Sequence, residues 1–480
     1  MGSHGQCLRE EWGGAGGGGP GLRGTSAPAS SGSLASRMGR LFGTDGVRGV
    51  FGRDLTTDLA RGLGRAAAVV LRRHERDRPV LVVGRDTRAS GIPLERALVE
   101  GICSAGADAI IAGVQPTPAV AFMTPDLGAD AGVVISASHN PAEDNGIKFF
   151  GPGGFKLPDE LEDEIEQEYR RGDVAAPVAK GRALELPGGE ASYLEHLTGA
   201  AEAPLAGMRV VVDCANGAAY EVAPEALRRV GAEVIPIHDR PDGRNINDGC
   251  GALHPEVVAE AVLAHGADAG LALDGDADRA LFADAKGRAI DGDRVLAACA
   301  VALKEEGRLD GNTVVTTVMA NLGFHRAMRE AGISVVTTRV GDRYVLEEML
   351  RRGAVLGGEQ SGHVIFRQHA TTGDGLLTAV RFLSLAARRG CSIAELAAVM
   401  RPFPQVLENV RVAHKERLED ASEIWDAVRA AESALGTSGR VLVRASGTEP
   451  IVRVMVEAES QSAARRHAEA IADAVRRALA

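Results

Sequence analysis

Short apolar runs rich in β-branched residues recur along this chain and alternate with longer amphipathic segments. Three of these runs are Val80–Val83, Val133–Ile135 and Ala354–Leu356, and each is too short for a typical helix. Bounded by small polar residues, they predict buried strands. Apolar residues stand at helical spacing from Thr56 to about Arg73, and again in the segment around Leu94, which predicts helices between the strands.

A pattern of strand, helix and strand occurs three times. The second and third units open with MRVVVDCANGAA at 208–219 and NTVVTTVMANLG at 312–323. The pentapeptide GADAG precedes the third strand of the first two units, and Ser138 and Asp276 each lie ten residues after the start of that pentapeptide. Strands separated by helices predict parallel sheets with right-handed crossovers, whose strand-end loops would face a common cleft.

The two ends of the chain differ from these units. Residues 1–37 contain GGAGGGGPG and TSAPASSGS, which cannot bury enough apolar surface to become ordered, so we predict a disordered leader before Met38. From about Pro402, the alternating stretch VLVRASGTEPIVRVMVE predicts strands around a turn, followed by a helix from Ser462 to the end. The predicted fold is α/β, with three similar domains of mixed, largely parallel sheets at 38–188, 189–291 and 292–401, and a smaller α+β domain at 402–480.

Composition narrows the classes of partner. The formal net charge of −11, from 54 basic and 65 acidic residues, argues against a nucleic-acid or anionic-membrane surface. The six cysteines include no CxxC pair, so the sequence predicts neither zinc nor a disulfide framework, and a reducing cytoplasm fits best. No apolar run approaches a membrane span, and the N-terminus lacks the apolar core of a signal peptide. With aromatic residues at only 4%, the cores must consist mainly of Ala, Val and Leu.

The loop after Val133–Ile135 is the first candidate for chemistry. It reads SASHNP and places Ser138 and His139 at a strand end, with Lys148 close behind in sequence. A serine hydroxyl is a weak nucleophile unless a base, a metal or nearby cations activate it. The alternative is an ordinary turn, since Ser, Asn and Pro are common turn residues.

The segment LDGDADR is a candidate metal site. It carries Asp274, Asp276 and Asp278 at alternate positions directly after an apolar strand. Carboxylates at this spacing can converge on one hard cation, and three protein oxygens plus a phosphate oxygen suit Mg²⁺. Arg279 beside them could neutralise a transferring phosphoryl group. The alternatives are a calcium-like loop, which lacks its bidentate Glu here, or a solvated acidic turn.

Two further loops have the chemistry of sugar and phosphate binding. GEQSGH can hydrogen-bond the vicinal hydroxyls of a sugar through Glu359, Ser361 and His363. RASGTEPIVR can hold a phosphate by a guanidinium fork, hydroxyls and backbone amides, from Arg444, Ser446, Gly447 and Thr448. Taken alone, each is also compatible with an ordinary turn. Together, the four loops predict phosphoryl transfer on a sugar phosphate.

The motifs FGTDGVRG, ISASHNP with NGIKFF, LDGDADR, GGEQSGH, TTGDG and RASGTEP, taken in this order, resemble the α-D-phosphohexomutase family over residues 39–480. The resemblance implies four domains around a central cleft, with a phosphoryl group on Ser138 that is required for activity. It also implies one Mg²⁺ per chain, held by that phosphate together with Asp274, Asp276 and Asp278.

The resemblance assigns roles to the other site residues as well. Lys148 and Arg48 match positions that contact the reacting phosphate or act in proton transfer, and His139 and His363 are further catalytic candidates. The substrate-binding residues that it implies are Arg279, Glu359, Ser361 and His363, and for the non-reacting phosphate Arg444, Ser446, Gly447, Thr448 and Arg453.

The implied reaction interconverts glucosamine 6-phosphate and glucosamine 1-phosphate through a 1,6-bisphosphate, with glucosamine or glucose 1,6-bisphosphate as activator and a product that feeds UDP-N-acetylglucosamine synthesis. Gln360 in GEQSGH resembles the glucosamine branch of the family. Mannose or glucose phosphate is the alternative substrate, and a non-catalytic phosphosugar-binding protein on the same scaffold is the alternative of a different class. We expect a small-molecule sugar phosphate as partner, no nucleic acid or membrane, and a monomer or homodimer.

Overall fold

The fold is seen in a computed structural model that describes residues 40–43, 45–172, 179–446 and 450–479. The predicted leader at 1–37 lies outside the described residues. The described residues from Phe42 onward form one compact body. Among the described helices, none has both the length and the apolar character needed to cross a bilayer.

The first sheet contains six strands and is accompanied by four helices. The strands are β1 (Val47–Val50), β2 (Val80–Arg85), β3 (Asp108–Val114), β4 (Ala131–Ile135), β5 (Asp144–Phe150) and β6 (Ala183–Glu185), and the helices are α1 (Thr57–His74), α2 (Gly91–Ser104), α3 (Thr117–Asp126) and α4 (Asp159–Arg171). The strand order is β1-β5-β4-β2-β3-β6. Strands β4, β2, β3 and β6 are parallel. Strand β5 is antiparallel to β4, and the edge strand β1 is antiparallel to β5.

The second sheet repeats this arrangement with five strands in the order β11-β10-β9-β7-β8. Strands β9, β7 and β8 are parallel. Strand β10 is antiparallel to β9, and the edge strand β11 is antiparallel to β10. Its elements are α5 (Glu190–Gly199), β7 (Arg209–Asp213), α6 (Val222–Arg229), β8 (Glu233–Ile237), α7 (Pro255–His265), β9 (Ala269–Leu273), β10 (Ala280–Asp284) and β11 (Ala289–Ile290).

The third sheet has four strands in the order β13-β12-β14-β15, of which only β15 is antiparallel to its neighbour. Its elements are α8 (Gly292–Glu305), β12 (Thr313–Thr317), α9 (Leu322–Glu330), β13 (Ser334–Thr338), α10 (Asp342–Arg352), β14 (Leu356–Gly358), β15 (Val364–Phe366), α11 (Gly375–Arg389) and α12 (Ile393–Leu396). The fourth sheet is fully antiparallel in the order β16-β18-β17. Its elements are β16 (Gln405–Arg411), α13 (Ser422–Leu435), β17 (Gly439–Ala445), β18 (Ile451–Ala458) and α14 (Gln461–Leu479).

The predicted fold class is confirmed: there are three mixed, largely parallel α/β units and a smaller antiparallel α+β unit. Each predicted domain span contains one sheet, and the domain limits themselves stay a prediction. The strand predicted at Ala354–Leu356 is wrong by two residues, because the Ala354 amide donates to the Met349 carbonyl and closes helix α10. The last helix begins one residue before Ser462, at Gln461. Strand β5, which carries Lys148, had no strand prediction.

The main core of the molecule consists largely of Ala, Val and Leu, as the low aromatic content predicts.

Close packing of small residues joins the first two helices. Helices α1 and α2 meet at Gly64 and Gly101, and a Cβ atom built on Gly101 would lie 2.0 Å from the Arg61 carbonyl oxygen. Backbone occupies the position that a methyl group would need, so the two helices approach this closely only because position 101 lacks a side chain.

We therefore predict that Gly101→Ala destabilises the first unit by about 1–3 kcal/mol, because the added methyl group forces the two helices apart. The first thermal unfolding transition of the full chain should move to lower temperature. Gly199→Ala at the end of α5 is the matched control, because its Cβ would meet no atom within 4 Å. Equal melting curves for both variants would contradict the proposed steric role of Gly101.

Candidate active site

The loop after β4 holds Ser138 in a constrained conformation. Ser138 has φ of +52°, in the left-handed region, and is 2% exposed. Its amide donates a 2.9 Å hydrogen bond to Oγ of Ser136, and that hydroxyl donates to Oδ2 of Asp86 at 2.6 Å. The Ser138 hydroxyl is thus presented by a network that begins at the end of the neighbouring strand β2.

Two residues without a sequence-based assignment fix the backbone of this loop. The fully buried Arg88 donates to the carbonyls of Ser138 and Asn140, both at 2.9 Å, while its Nε donates to Asp86 at 2.9 Å. Asn247, from the second unit, donates to the same two carbonyls at 2.9 and 3.2 Å. Arg88 lies in the segment GRDTRAS, directly after the predicted strand Val80–Val83. Its position at a strand end is the sequence feature that could have indicated a role in the site. Nothing in the sequence around Asn247 indicated its role.

The three aspartates of the second unit converge, as predicted, next to Ser138. They follow β9, all are buried, and their ligand oxygens lie within 4.8 Å of one another. The Ser138 hydroxyl donates to Oδ2 of Asp274 at 2.6 Å. Burial, together with repulsion by Asp278 and Asp276, raises the pKa of Asp274 well above its usual value. This crowding of negative charge is the environment that a divalent cation relieves.

Two oxygen atoms of this cluster remain available for such a cation. Among the described residues, Oδ1 of Asp276 and Oδ1 of Asp278 have no hydrogen-bond partner although they are buried. Oδ2 of Asp276 accepts from the Thr117 hydroxyl at 2.7 Å, which orients that carboxylate. A set of hard carboxylate oxygens with unsatisfied atoms fits Mg²⁺ better than it fits a softer metal.

Cationic side chains surround the carboxylates. Lys148 lies 2.9 Å from Oδ2 of Asp45 and 3.2 Å from Oδ2 of Asp276. Burial lowers the pKa of Lys148, but the Asp276 and Asp45 carboxylates outweigh it and raise the pKa above its ordinary value. Arg48 pairs with Asp45, as does Lys156 at 3.4 Å. Lys148 is accordingly held as a cation at the centre of the site.

His139 and Arg279 complete the surroundings of the hydroxyl. Nδ1 of His139 lies 3.3 Å from Oγ of Ser138. Burial, with the positive charges of Arg279 and Arg48, lowers the pKa of His139 to about 4, so the imidazole is neutral near pH 7. Nε of Arg279 lies 3.7 Å from Oδ1 of Asp278, and the backbone amide of Arg279 donates to Oδ1 of Asp274 at 3.2 Å.

Both ring nitrogens of His363 are engaged. Nδ1 lies 3.6 Å from Oδ2 of Asp278, and Nε2 accepts a hydrogen bond from the Gly373 amide at 3.0 Å. Burial disfavours the charged ring, while Asp278 outweighs burial and raises the pKa of His363 to about 9. The Gly373 hydrogen bond, however, needs an unprotonated Nε2, so this geometry holds the neutral tautomer with its proton on Nδ1. A Cβ at Gly373 would lie 2.4 Å from the ring, which accounts for a glycine in TTGDG.

The predicted sugar-binding loop lies between β14 and β15. Oε1 of Glu359 accepts from the Gly341 amide at 3.1 Å, and the buried Ser361 hydroxyl has no hydrogen-bond partner among the described residues. The Gln360 side chain donates to Oδ2 of Asp291 at 3.4 Å. The backbone carbonyl of Gln360 accepts a hydrogen bond from the Gly292 amide at 3.0 Å. Gln360 therefore ties the loop to the start of α8.

The predicted phosphate loop lies between β17 and β18. Arg444 and Arg453 are register partners on these two strands, and the Ser446 carbonyl accepts from Lys415 at 2.7 Å. Gly447 and Thr448 lie outside the described residues. The contacts described above bring together the predicted residues of the first three units.

Comparison with known proteins identifies all four units. Models of the phosphoglucomutase/phosphomannomutase domains match in order: alpha/beta/alpha domain I at residues 39–175, domain II at 191–287, domain III at 291–403 and the C-terminal domain at 407–474. The matched residues cover most of the chain.

Individual relatives agree with these models. The phosphoglucosamine mutase of Desulforudis audaxviator is 54% identical over 88% of this chain and 95% of its own length, and that of Thermobifida fusca is 56% identical over 92% and 98%. A crystal structure of a phosphoglucomutase/phosphomannomutase family protein from Burkholderia thailandensis superposes with a TM-score of 0.77 and 26% identity, covering 92% of this chain and 97% of the other. The chain therefore belongs to the phosphoglucomutase/phosphomannomutase family.

Proposed function

We propose that this protein acts as a phosphoglucosamine mutase, which interconverts glucosamine 6-phosphate and glucosamine 1-phosphate through a phosphoserine at Ser138. The observation that carries the chemistry is the Ser138 hydroxyl, 2.6 Å from Asp274 inside a cluster of three buried carboxylates. The amino-sugar substrate is supported by relatives with that name at 51–56% identity.

The reaction consists of two phosphoryl transfers of opposite direction. In the first, the bond between phosphorus and Oγ of Ser138 breaks, a bond forms to the C1 hydroxyl oxygen of glucosamine 6-phosphate, and the proton of that hydroxyl passes to a base in the cleft. The 1,6-bisphosphate then reorients in the site, so that its 6-phosphoryl group faces Ser138. In the second, its 6-phosphoryl group moves to Oγ of Ser138, and the departing C6 oxygen takes a proton. Glucosamine 1-phosphate leaves, and the phosphoserine is restored.

The residues around Ser138 stabilise the charge that moves between these oxygens. Lys148, Arg48 and Arg279 place positive charge beside the transferring group, where electrostatic stabilisation is strongest. His139 contacts Oγ of Ser138 directly. We assign His363 a positioning role, because Asp278 and the Gly373 amide engage both of its nitrogens.

The carboxylate cluster fits one Mg²⁺. Asp274, Asp276 and Asp278 would hold it together with Ser138 or its phosphate, and the unsatisfied Oδ1 atoms of Asp276 and Asp278 support this assignment. When bound, the ion supplies positive charge that neutralises phosphate oxygens.

Substrate binding and activation complete the proposal. Glu359 and Ser361 would bind sugar hydroxyls. The distal phosphate would be held by Arg444, Ser446, Arg453 and the undescribed Gly447 and Thr448.

Loss of the bisphosphate in mid-reaction leaves Ser138 without its phosphoryl group, so added glucosamine or glucose 1,6-bisphosphate would act as activator. The cytoplasmic location and a monomeric or homodimeric state stay predictions.

The first experiment compares kcat/KM of the phosphorylated protein with Mg²⁺ for glucosamine, glucose and mannose 6-phosphates. We expect a strong preference for the amino sugar. Ser138→Ala should lose activity by about 10³-fold or more, because the nucleophile is removed. Ser334→Ala, an exposed serine on β13, is the matched control.

Preference for glucose or mannose phosphate would replace the amino-sugar assignment with the mannose or glucose alternative. Turnover by Ser138→Ala close to that of the control variant would overturn the phosphoserine mechanism itself. Mass spectrometry of the Ser138 peptide tests the same point without an activity assay.

Removal of metal should abolish turnover, and Mg²⁺ should restore it. Asp278→Asn should raise the Mg²⁺ concentration needed for half-maximal activity by at least about tenfold, because an amide replaces one of three anionic ligands. Asp310→Asn, at an exposed turn, should leave the Mg²⁺ dependence unchanged. Full activity in the presence of a chelator would show that the cluster has no metal-binding role.

The contact of Asn247 with the Ser138 loop is also testable. Asn247 has φ of +57°, so Asn247→Gly removes the amide without adding backbone strain. Loss of two hydrogen bonds should lower kcat by about tenfold and leave the Mg²⁺ dependence unaltered. Asn312→Gly is the matched control, with φ of +45° at an exposed turn. An unchanged kcat would mean that Arg88 alone fixes the loop.

A further inference from the structure

A cavity of about 420 Å³ lies beside the carboxylate cluster and reaches the start of α10. It brings residues of the proposed catalytic machinery together with residues that have no assigned role. The side chains that matter here are Lys148, Asp278 and His363 on one side, and Glu160, Asp342 and Arg343 on the other.

Most of the charged side chains that line this cavity already have a partner of opposite charge. Asp45 pairs with Lys148 at 2.9 Å, and Asp278 lies beside His363. Arg343 pairs with Glu347 at 2.8 Å and with Asp159 at 2.5 Å. The arginine next to Asp342 in sequence is therefore committed to other carboxylates.

Asp342 is different. It is half-buried, and within the described ranges of the chain no hydrogen bond or ion pair to its carboxylate is found. Glu160 is also without such a partner there, but its side chain is exposed to solvent. A carboxylate on the wall of this cavity without a partner of opposite charge can pair with a cationic ligand.

The position of Asp342 relates it to the sugar. The amide of the preceding residue, Gly341, donates to Oε1 of Glu359 at 3.1 Å. Asp342 therefore lies next to the residue that we assign to the ring hydroxyls. In glucosamine the amino group on C2 is adjacent to the ring hydroxyls, so a group that binds it would lie beside the group that binds those hydroxyls.

We propose that Asp342 binds the protonated 2-amino group of the substrate and thereby selects the amino sugar. This inference rests on the function proposed above. A carboxylate and an ammonium group form a hydrogen bond between opposite charges, whereas a neutral 2-hydroxyl group can donate a hydrogen bond but leaves the negative charge of the carboxylate uncompensated. Gln360, the residue that carries the resemblance to the glucosamine branch, is engaged with Asp291 instead.

A purely structural role is the competing explanation. Asp342 is the first residue of α10, where a negative charge stabilises the helix N-terminus. In that role its loss would lower stability and affect every substrate to the same extent. A change in the ratio between two substrates is therefore the informative readout.

The experiment measures kcat/KM for glucosamine 6-phosphate and glucose 6-phosphate with phosphorylated wild type, Asp342→Asn, Asp342→Glu and Glu160→Gln. Asp342→Asn should lower the value for the amino sugar by about 10- to 100-fold, which corresponds to loss of a hydrogen bond to a charged group, and leave the glucose value unchanged. Asp342→Glu keeps the charge and should retain part of the preference. Glu160→Gln, in the same cavity, should match wild type.

Three outcomes separate the possibilities. If wild type prefers glucosamine 6-phosphate and Asp342→Asn keeps that preference, the role of Asp342 is refuted while the proposed function stands. If Asp342→Asn loses the same factor on both sugars and melts at a lower temperature, its role is structural. If wild type shows no preference for the amino sugar, the function proposed above fails first.

Discussion

The mutual repulsion of three buried carboxylates is the constraint on which the rest of the site depends. Asp274, Asp276 and Asp278 cannot all remain ionised and out of water unless positive charge or protons compensate them. The surroundings supply that compensation in several forms: the cation of Lys148, the guanidinium of Arg279, the Nδ1 proton of His363 and the hydroxyl proton of Ser138. The hydroxyl is therefore held where a cation at the cluster would also reach it.

A second constraint is that nucleophile and carboxylates belong to different units. The carbonyls of the Ser138 loop accept hydrogen bonds from Arg88 of the first unit and Asn247 of the second. Both donors bind the same backbone, so direct contact between the units sets the position of the loop relative to the carboxylate cluster. Precise placement matters because phosphoryl transfer depends mainly on positioning and charge.

The sequence predicted the elements whose signals are local. Buried strands such as β4 and β9, and the small-residue loops after them, follow from apolar runs that end in polar residues. The convergence of Ser138 with the three aspartates was accessible because the GADAG repeat places both at equivalent strand ends. Strand β5 was missed because it forms an antiparallel hairpin with β4, and its segment DNGIKFF contains loop-forming Asp, Asn and Gly before its apolar residues.

Contacts between distant segments account for what could not be predicted. Arg88 and Asn247 act on Ser138 through backbone carbonyls, and no spacing in the sequence indicates which carbonyls a side chain will reach. The same holds for His363, which the sequence assigns to sugar binding or catalysis. In the fold, Asp278 lies beside one ring nitrogen and the Gly373 amide donates to the other. Asp342 had no motif at all, and its interest comes from charge pairing around one cavity.

The shared GADAG pentapeptide relates the loop of Ser138 to the loop of the three aspartates. Ser138 and Asp276 each lie three residues beyond the last residue of β4 and β9, respectively. By the same alignment Ser136, which accepts a hydrogen bond from the Ser138 amide, corresponds to Asp274, which accepts one from the Ser138 hydroxyl. One strand end thus carries the hydroxyl, and the equivalent strand end of the next unit carries the carboxylates that face it. The site is therefore assembled from two loops that occupy the same place in two similar units.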